Sequence, residues 1–257
     1  MKAIWKGSIN FGLVNIPIKL YSATQSSTLD LDMLDRSDHA PIRFKRVNEN
    51  SGKEVPWENI VKGYKYQDDY VILEEADFEE ASPEKSKTIQ IENFLELKDV
   101  DPMYFESPYY VEPEKGGMKA YSLLHQALEK TQKAGLARFV LRTSEYLCLI
   151  RSIKKGLVIQ KIRFPEEIRN MDELSIEEPA INKKELDMAL ALIKEYTTPF
   201  DLSSFKNSYT ESLLNIIKAK AAGKRPTIRK IKAETVKKSD DLMDQLMKSL
   251  SVKKKVS

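Results

Sequence analysis

Met1-Lys2-Ala3-Ile4-Trp5-Lys6-Gly7-Ser8-Ile9-Asn10-Phe11-Gly12-Leu13-Val14-Asn15-Ile16-Pro17-Ile18-Lys19-Leu20-Tyr21-Ser22-Ala23-Thr24 opens the chain and sets its architecture. From Ile16 to Tyr21 apolar and other residues alternate. Ile16, Ile18 and Leu20 fall on one side; Pro17, Lys19 and Tyr21 fall on the other. A period of two is that of a strand with one buried face. Pro17 has no N–H to give to a ladder, so it belongs at a strand start or on an edge. Gly12 suits the bend between two strands. The stretch predicts a strand pair around a glycine, within a sheet or barrel.

Working outward, the 257 residues suffice for one large domain or two small ones, and an apolar share of 41% supports a packed core. Charged residues make up 32%, which implies much solvated or ligand-facing surface. Cys148 is the lone cysteine, so an internal disulfide is excluded and a reducing compartment is expected. No apolar run approaches membrane-span length and the N-terminus carries no apolar signal segment. The expectation is a soluble, cytoplasmic protein with no membrane partner. Net charge is only +3, but residues 218–257 hold 13 Lys and Arg against 4 Asp and Glu, a tail of +9 that leaves −6 for the rest. That asymmetry points to a polyanionic partner, DNA or RNA.

Further along, Ile42-Arg43-Phe44-Lys45-Arg46-Val47 alternates, with Arg43 and Lys45 on one face, and Asn48-Glu49-Asn50-Ser51-Gly52-Lys53 is a turn. Together they predict an exposed hairpin with a cationic side; an edge strand guarded by Lys and Arg fits the spacing equally well. Tyr70–Leu73 predicts a buried strand, Glu74–Ala81 a short helix, and Thr88–Phe94 a strand with Ile89 and Ile91 inward. Residues 117–134 carry helical periodicity through Tyr121, Leu124, Ala127, Leu128 and Thr131, with Gly135 as the stop. Leu136–Arg142, Tyr146–Arg151 and Leu157–Phe164 predict strands, the last two joined by a hairpin turn, and Arg138 and Arg142 share a strand face. Asn182 with Glu185 has the form of a capping box. Two helices follow, to about Tyr196 and from Ser208 to about Ala222. A basic linker from Gly223 leads to a last short helix capped by Ser239.

Catalytic constellations do not emerge. His39 and His125 have no Cys or carboxylate at metal-ligand spacing, and no nucleophile elbow, phosphate loop, dinucleotide fingerprint or ligase-type Lys-x-Asp-Gly occurs. Glu96-Leu97-Lys98 has the E-x-K form of metal-dependent nucleases, but no Asp precedes it at strand spacing, and two-metal chemistry needs several convergent carboxylates. The pattern favours a binding protein, neither an enzyme nor the holder of a cofactor.

Trp5-Lys6-Gly7-Ser8-Ile9-Asn10-Phe11-Gly12-Leu13-Val14-Asn15-Ile16-Pro17 resembles the opening of the bacterial Ku proteins. The resemblance continues in order through Val61–Tyr66 with Tyr70–Leu73, Lys87–Phe94, Asp101–Phe105, Ala120–Leu124, Ala137–Arg142 and Phe164–Arg169, covering residues 1–225. It implies an α+β protein: a β-barrel core with a protruding strand-and-loop arm that forms a DNA-encircling ring in the dimer, then a helical C-terminal region and a basic tail. It implies a homodimer that binds double-stranded DNA ends in non-homologous end joining, alongside an ATP-dependent DNA ligase, in the nucleoid-associated cytoplasm. On this basis the core spans 1–170 with the arm at about 22–68, the helical arm 171–222 and the Lys-rich tail 223–257. Some relatives have cysteine pairs near Arg46 to Glu54; this chain has none, so no metal is expected there. No eukaryotic-type amino-terminal domain or SAP module is expected at this length. The candidate DNA-contacting residues are Arg43, Lys45 and Arg46 on the hairpin, Arg138 and Arg142 on the barrel, and Lys224, Arg225, Arg229 and Lys230 in the tail. A general nucleic-acid binder without end preference is the alternative.

Overall fold

The structure, a computed structural model, describes residues 1–81, 87–141, 144–224 and 245–247. The opening stretch folds as a pair: β1 (Trp5–Phe11) and β2 (Val14–Ser22) run antiparallel, in register from Trp5 with Leu20 to Phe11 with Val14. Gly12 turns between them at φ +56°, a region L side chains avoid. Ile16, Ile18 and Leu20 are all fully buried. The carbonyl of Pro17 points away from β1 and accepts the Glu114 N–H at 2.8 Å; the ladder on that side begins only at Ile18. The donor that Pro17 lacks therefore falls beyond the last paired residue, the edge position its chemistry requires.

Seven further strands follow: β3 (Lys62–Tyr66), β4 (Asp69–Leu73), β5 (Thr88–Glu96), β6 (Phe105–Pro113), β7 (Lys133–Leu141), β8 (Ser144–Ile153) and β9 (Gly156–Ile162). A closed barrel forms in the order β1-β2-β6-β9-β8-β7-β5. A ring with an odd number of strands cannot alternate direction all the way round, so at least one neighbouring pair must run parallel. Here that pair is β1 and β5, and the long excursion that a parallel pair needs lies between β2 and β5, residues 23–87. At this seam the Ser8 N–H donates to the Lys87 carbonyl at 2.8 Å. A Cβ on Gly7 would overlap that carbonyl oxygen and the Trp5 ring, so the seam closes only over glycine. The Trp5 indole N–H, donating to the Val140 carbonyl at 3.2 Å, ties β1 to β7.

The main core gathers Ile9, Ile16, Ile18, Leu20, Ile89, Ile91, Phe139, Cys148, Ile150 and Ile159. Helix α2 (Met118–Thr131) packs against it through Tyr121, Leu124 and Leu128, spaced for one helix face. The buried Tyr121 hydroxyl donates to the Val111 carbonyl at 2.9 Å and accepts from the Leu157 N–H at 2.8 Å. Ala134, Leu149 and Ile162 form a second cluster, covered by Leu97, Val100 and Tyr104 from the connection between β5 and β6 and by Phe105 at the start of β6.

Three expectations are corrected. Helix α2 stops earlier than expected, at Gln132, which takes the left-handed conformation at φ 55°. Lys133 begins β7, and Gly135 lies buried inside that strand. The Tyr70–Leu73 segment is a strand but is not buried: β4 pairs only with β3, in a separate two-stranded sheet, and Tyr70 is 69% exposed. Ile42–Val47 is no strand: among the described residues it makes one bridge, Val47 with Glu54, and isolated backbone hydrogen bonds from the Ile42 N–H to the Met33 carbonyl and from the Val55 N–H to the Arg46 carbonyl, too few for a ladder. Helix α1 (Glu75–Ala81) matches the expected short helix.

The chain divides into two compact units, residues 1–26 with 30–170, and 27–29 with 171–257. The second unit carries α3 (Lys183–Tyr196) and α4 (Ser208–Ala221). The capping box at the start of α3 is present: Asn182 Oδ1 accepts the Lys184 N–H at 3.0 Å, and Glu185 Oε2 accepts the Asn182 N–H at 3.1 Å. Neither helix contains a buried residue, and Leu186, Leu190, Ile193 and Tyr196 line α3 exposed. Of the helix expected after Ser239, only residues 245–247 are described, and they are helical.

Candidate nucleic-acid interface

From Tyr21 to Thr88 not one described residue is buried. The stretch nevertheless carries Met33, Phe44, Trp57, Tyr64, Tyr66 and Tyr70, each more than half exposed. Large apolar side chains left open to water mark a surface built for a partner.

Its tip is ordered by short-range polar contacts. Asn48 Oδ1 accepts the N–H groups of Asn50 and Ser51 at 3.0 and 2.9 Å. The Asn48 N–H donates to the Lys53 carbonyl, and the Val55 N–H donates to the Arg46 carbonyl, both at 2.9 Å. This turn brings Lys45, Arg46, Glu54 and Trp57 together. Lys45 Nζ lies 2.6 Å from Glu54 Oε2, a hydrogen bond that holds its ammonium pKa above the ordinary value. The Arg46 guanidinium sits over the Trp57 ring, 4.4 Å from its centroid. Arg43 is exposed and, among the described residues, has no ion-pair partner.

Arg138 lies on β7, half-exposed, with Nε 3.1 Å from Glu92 and Nη1 3.4 Å from Glu145. The structure does not bring it together with the 43–46 group. Arg142, Arg225, Arg229 and Lys230 lie outside the described residues; Lys224 is exposed, just past the end of α4. Two cations not singled out from sequence, Lys62 and Lys65, stand on β3 among the exposed tyrosines, and Lys62 Nζ lies 4.4 Å from the Phe78 ring centroid. Their signal was the interleaving of lysines with tyrosines in Lys62-Gly63-Tyr64-Lys65-Tyr66.

Charge on the barrel is largely compensated. Lys6 and Lys19 both reach Glu114 at 3.1 and 3.5 Å, and the hydrogen bond from Lys6 holds that carboxyl below the usual range. Lys161 pairs with Glu106 at 2.9 Å, and Lys133 with Glu96 at 3.6 Å. The E-x-K carboxylate is thus held by a lysine of β7. A cavity of about 210 Å³ opens beside Arg151, Lys133 and Glu129. Cys148 is fully buried, and burial pushes its thiol pKa far up, so it is inert as a nucleophile. Among the described residues no group of three or more His, Cys, Asp or Glu is placed to hold a metal, and no helix is long and apolar enough to cross a membrane.

Side chains such as Arg43 and Arg46, exposed and, among the described residues, without a carboxylate, have the chemistry to meet phosphate, which is bound by charge irrespective of sequence. Comparison with known proteins identifies the family. Residues 10–188 match the family of the Ku70/Ku80 beta-barrel domain. A protein of Opitutus terrae named "Non-homologous end joining protein Ku" is 43% identical over 223 residues, 86% of this chain and 80% of that one. Proteins of the same name from Coxiella burnetii and Pseudomonas aeruginosa are each 37% identical, over 99% and 97% of this chain and 96% and 88% of theirs. The closed barrel, the long excursion between β2 and β5 and these matches together show that the chain belongs to the Ku family.

Proposed function

We propose that the chain binds double-stranded DNA ends without sequence preference, as a ring-shaped homodimer, and acts in non-homologous end joining. It protects the ends and recruits or stimulates an ATP-dependent DNA ligase; it is not an enzyme. The names of its relatives support the end-joining role. One observation carries the reading furthest. Among its described residues, the excursion between β2 and β5 has none buried, yet presents apolar side chains together with cations, Arg43 and Arg46, that have no counter-ion there. A second copy would bury the apolar side, and Arg43 and Arg46 would remain to meet phosphate.

The physics suits the task. A protein that accepts any broken end cannot read base edges and must hold the backbone. Discrimination then comes from topology, because a closed ring loads only where DNA has an end. On this view residues 1–170 form the core with its encircling arm at about 22–68, 171–222 a helical arm, and 223–257 a tail that adds phosphate contacts in the cytoplasm, on the nucleoid. Arg138 would contribute only once DNA displaces Glu92 and Glu145.

Competition binding tests this. Labelled short duplex is challenged at physiological salt with linear plasmid and with covalently closed relaxed plasmid. Linear plasmid should compete in proportion to its ends, and closed circles should not. Equal competition per base pair would overturn the end-binding reading in favour of a general nucleic-acid binder.

A further inference from the structure

We propose that Trp57 is a positioning residue for Arg46, holding the guanidinium flat so that its N–H edge faces a DNA phosphate; the inference rests on the DNA-contacting reading above. Trp57 is 70% exposed, so its indole is not there to fill a core. It follows Pro56, whose fixed φ of −58° sets the start of the 3-10 turn Trp57–Asn59, and the Ile60 N–H closes that turn on the Trp57 carbonyl at 3.1 Å. The tip hydrogen bond between Val55 and Arg46 places the two side chains on facing limbs, with the guanidinium carbon 4.4 Å from the ring centroid.

A guanidinium lying on an aromatic face keeps its donors in its own plane, free at the edge. Among the described residues no carboxylate takes those donors from Arg46, whereas Lys45 beside it is held by Glu54. A loose arginine loses rotamer freedom when a phosphate fixes it, and one already stacked has lost much of that freedom beforehand. Trp57 thereby adds affinity without touching DNA.

The test uses the full chain and a short blunt duplex. Trp57→Leu should weaken binding by about two- to five-fold, and Trp57→Phe, which keeps an aromatic face, should retain most of the affinity. The double variant Arg46→Ala, Trp57→Leu should bind no more weakly than Arg46→Ala alone, a coupling that a merely structural role would not produce. Melting temperatures of the Trp57 variants should match the wild type. Wild-type binding by Trp57→Leu, or losses that add in full, would overturn the proposal while leaving Arg46 as a contact. Wild-type binding by Arg46→Ala would instead remove the contact itself, and the proposal with it.

Discussion

Replacing both Arg43 and Arg46 by alanine tests the electrostatics of the arm most sharply. Each is exposed without a carboxylate partner among the described residues, so each should displace a full counterion from DNA. A phosphate contact contributes about 0.9 to the slope of log affinity against log salt. Two residues in each subunit of the proposed homodimer make four contacts, so the double variant should flatten the slope by about 3.6. Referred to molar salt, where the counterion contribution vanishes, those contacts amount to about 3.6 decades of affinity at about 0.1 M. Fluorescence anisotropy of a labelled blunt duplex, titrated at several salt concentrations, reads both quantities. Circular dichroism should be unchanged, since neither side chain is buried. A slope equal to that of the wild type, with the fold intact, would refute the assignment of these arginines to the backbone contact.

Glu54→Ala should act in the opposite direction: it frees Lys45 from its 2.6 Å partner and should steepen the same slope by about 0.9 per subunit, whereas a flatter slope would mean that Glu54 orders the tip. Gly7→Ala should lower thermal stability by about 1–3 kcal/mol or more, because its Cβ meets the Lys87 carbonyl and the Trp5 ring at the parallel seam; calorimetry reads this. Tyr121→Phe should cost about 1–3 kcal/mol by stranding the Val111 carbonyl and Leu157 N–H. It should also blunt the alkaline loss of stability. Burial raises the phenol pKa, so its contribution is whole below the ordinary value of about 10 and is lost as pH rises past it, when the unfolded chain sheds the proton first. Melting temperature followed through that range checks the sign, and the buried Cys148 thiol should leave a residual slope of the same sign from lower pH.

The barrel was legible wherever burial imposes a period. Ile16, Ile18 and Leu20 alternate because one face of β2 is core, and Ile89 and Ile91 repeat the pattern on β5. The capping box at Asn182 was legible because it is local chemistry. The failures share a cause. Tyr70–Leu73 reads as buried because its side chains are apolar, yet among the described residues nothing buries β4. Ile42–Val47 alternates like a strand, yet among the described residues it forms only the isolated bridge of Val47 with Glu54. Both lie in the excursion between β2 and β5, where, on the proposed homodimer, a second copy would supply the missing surroundings. Gly7 drew no attention from sequence, since its need comes from a contact with Lys87, far along the chain. For the candidate interface, charge pattern located the cations but not their neighbours. Only the structure separates Arg43 and Arg46 from Lys45 and Arg138, which already hold carboxylates.

The most direct test of the central claim is topological trapping. The protein is loaded onto linear plasmid, the ends are then ligated to close the circle, and the sample is washed at high salt. A threaded ring should stay on the closed circle through a wash that clears it from plasmid left linear, and should leave once the circle is cut. Equal loss from closed and linear plasmid would contradict the ring and leave only electrostatic adhesion.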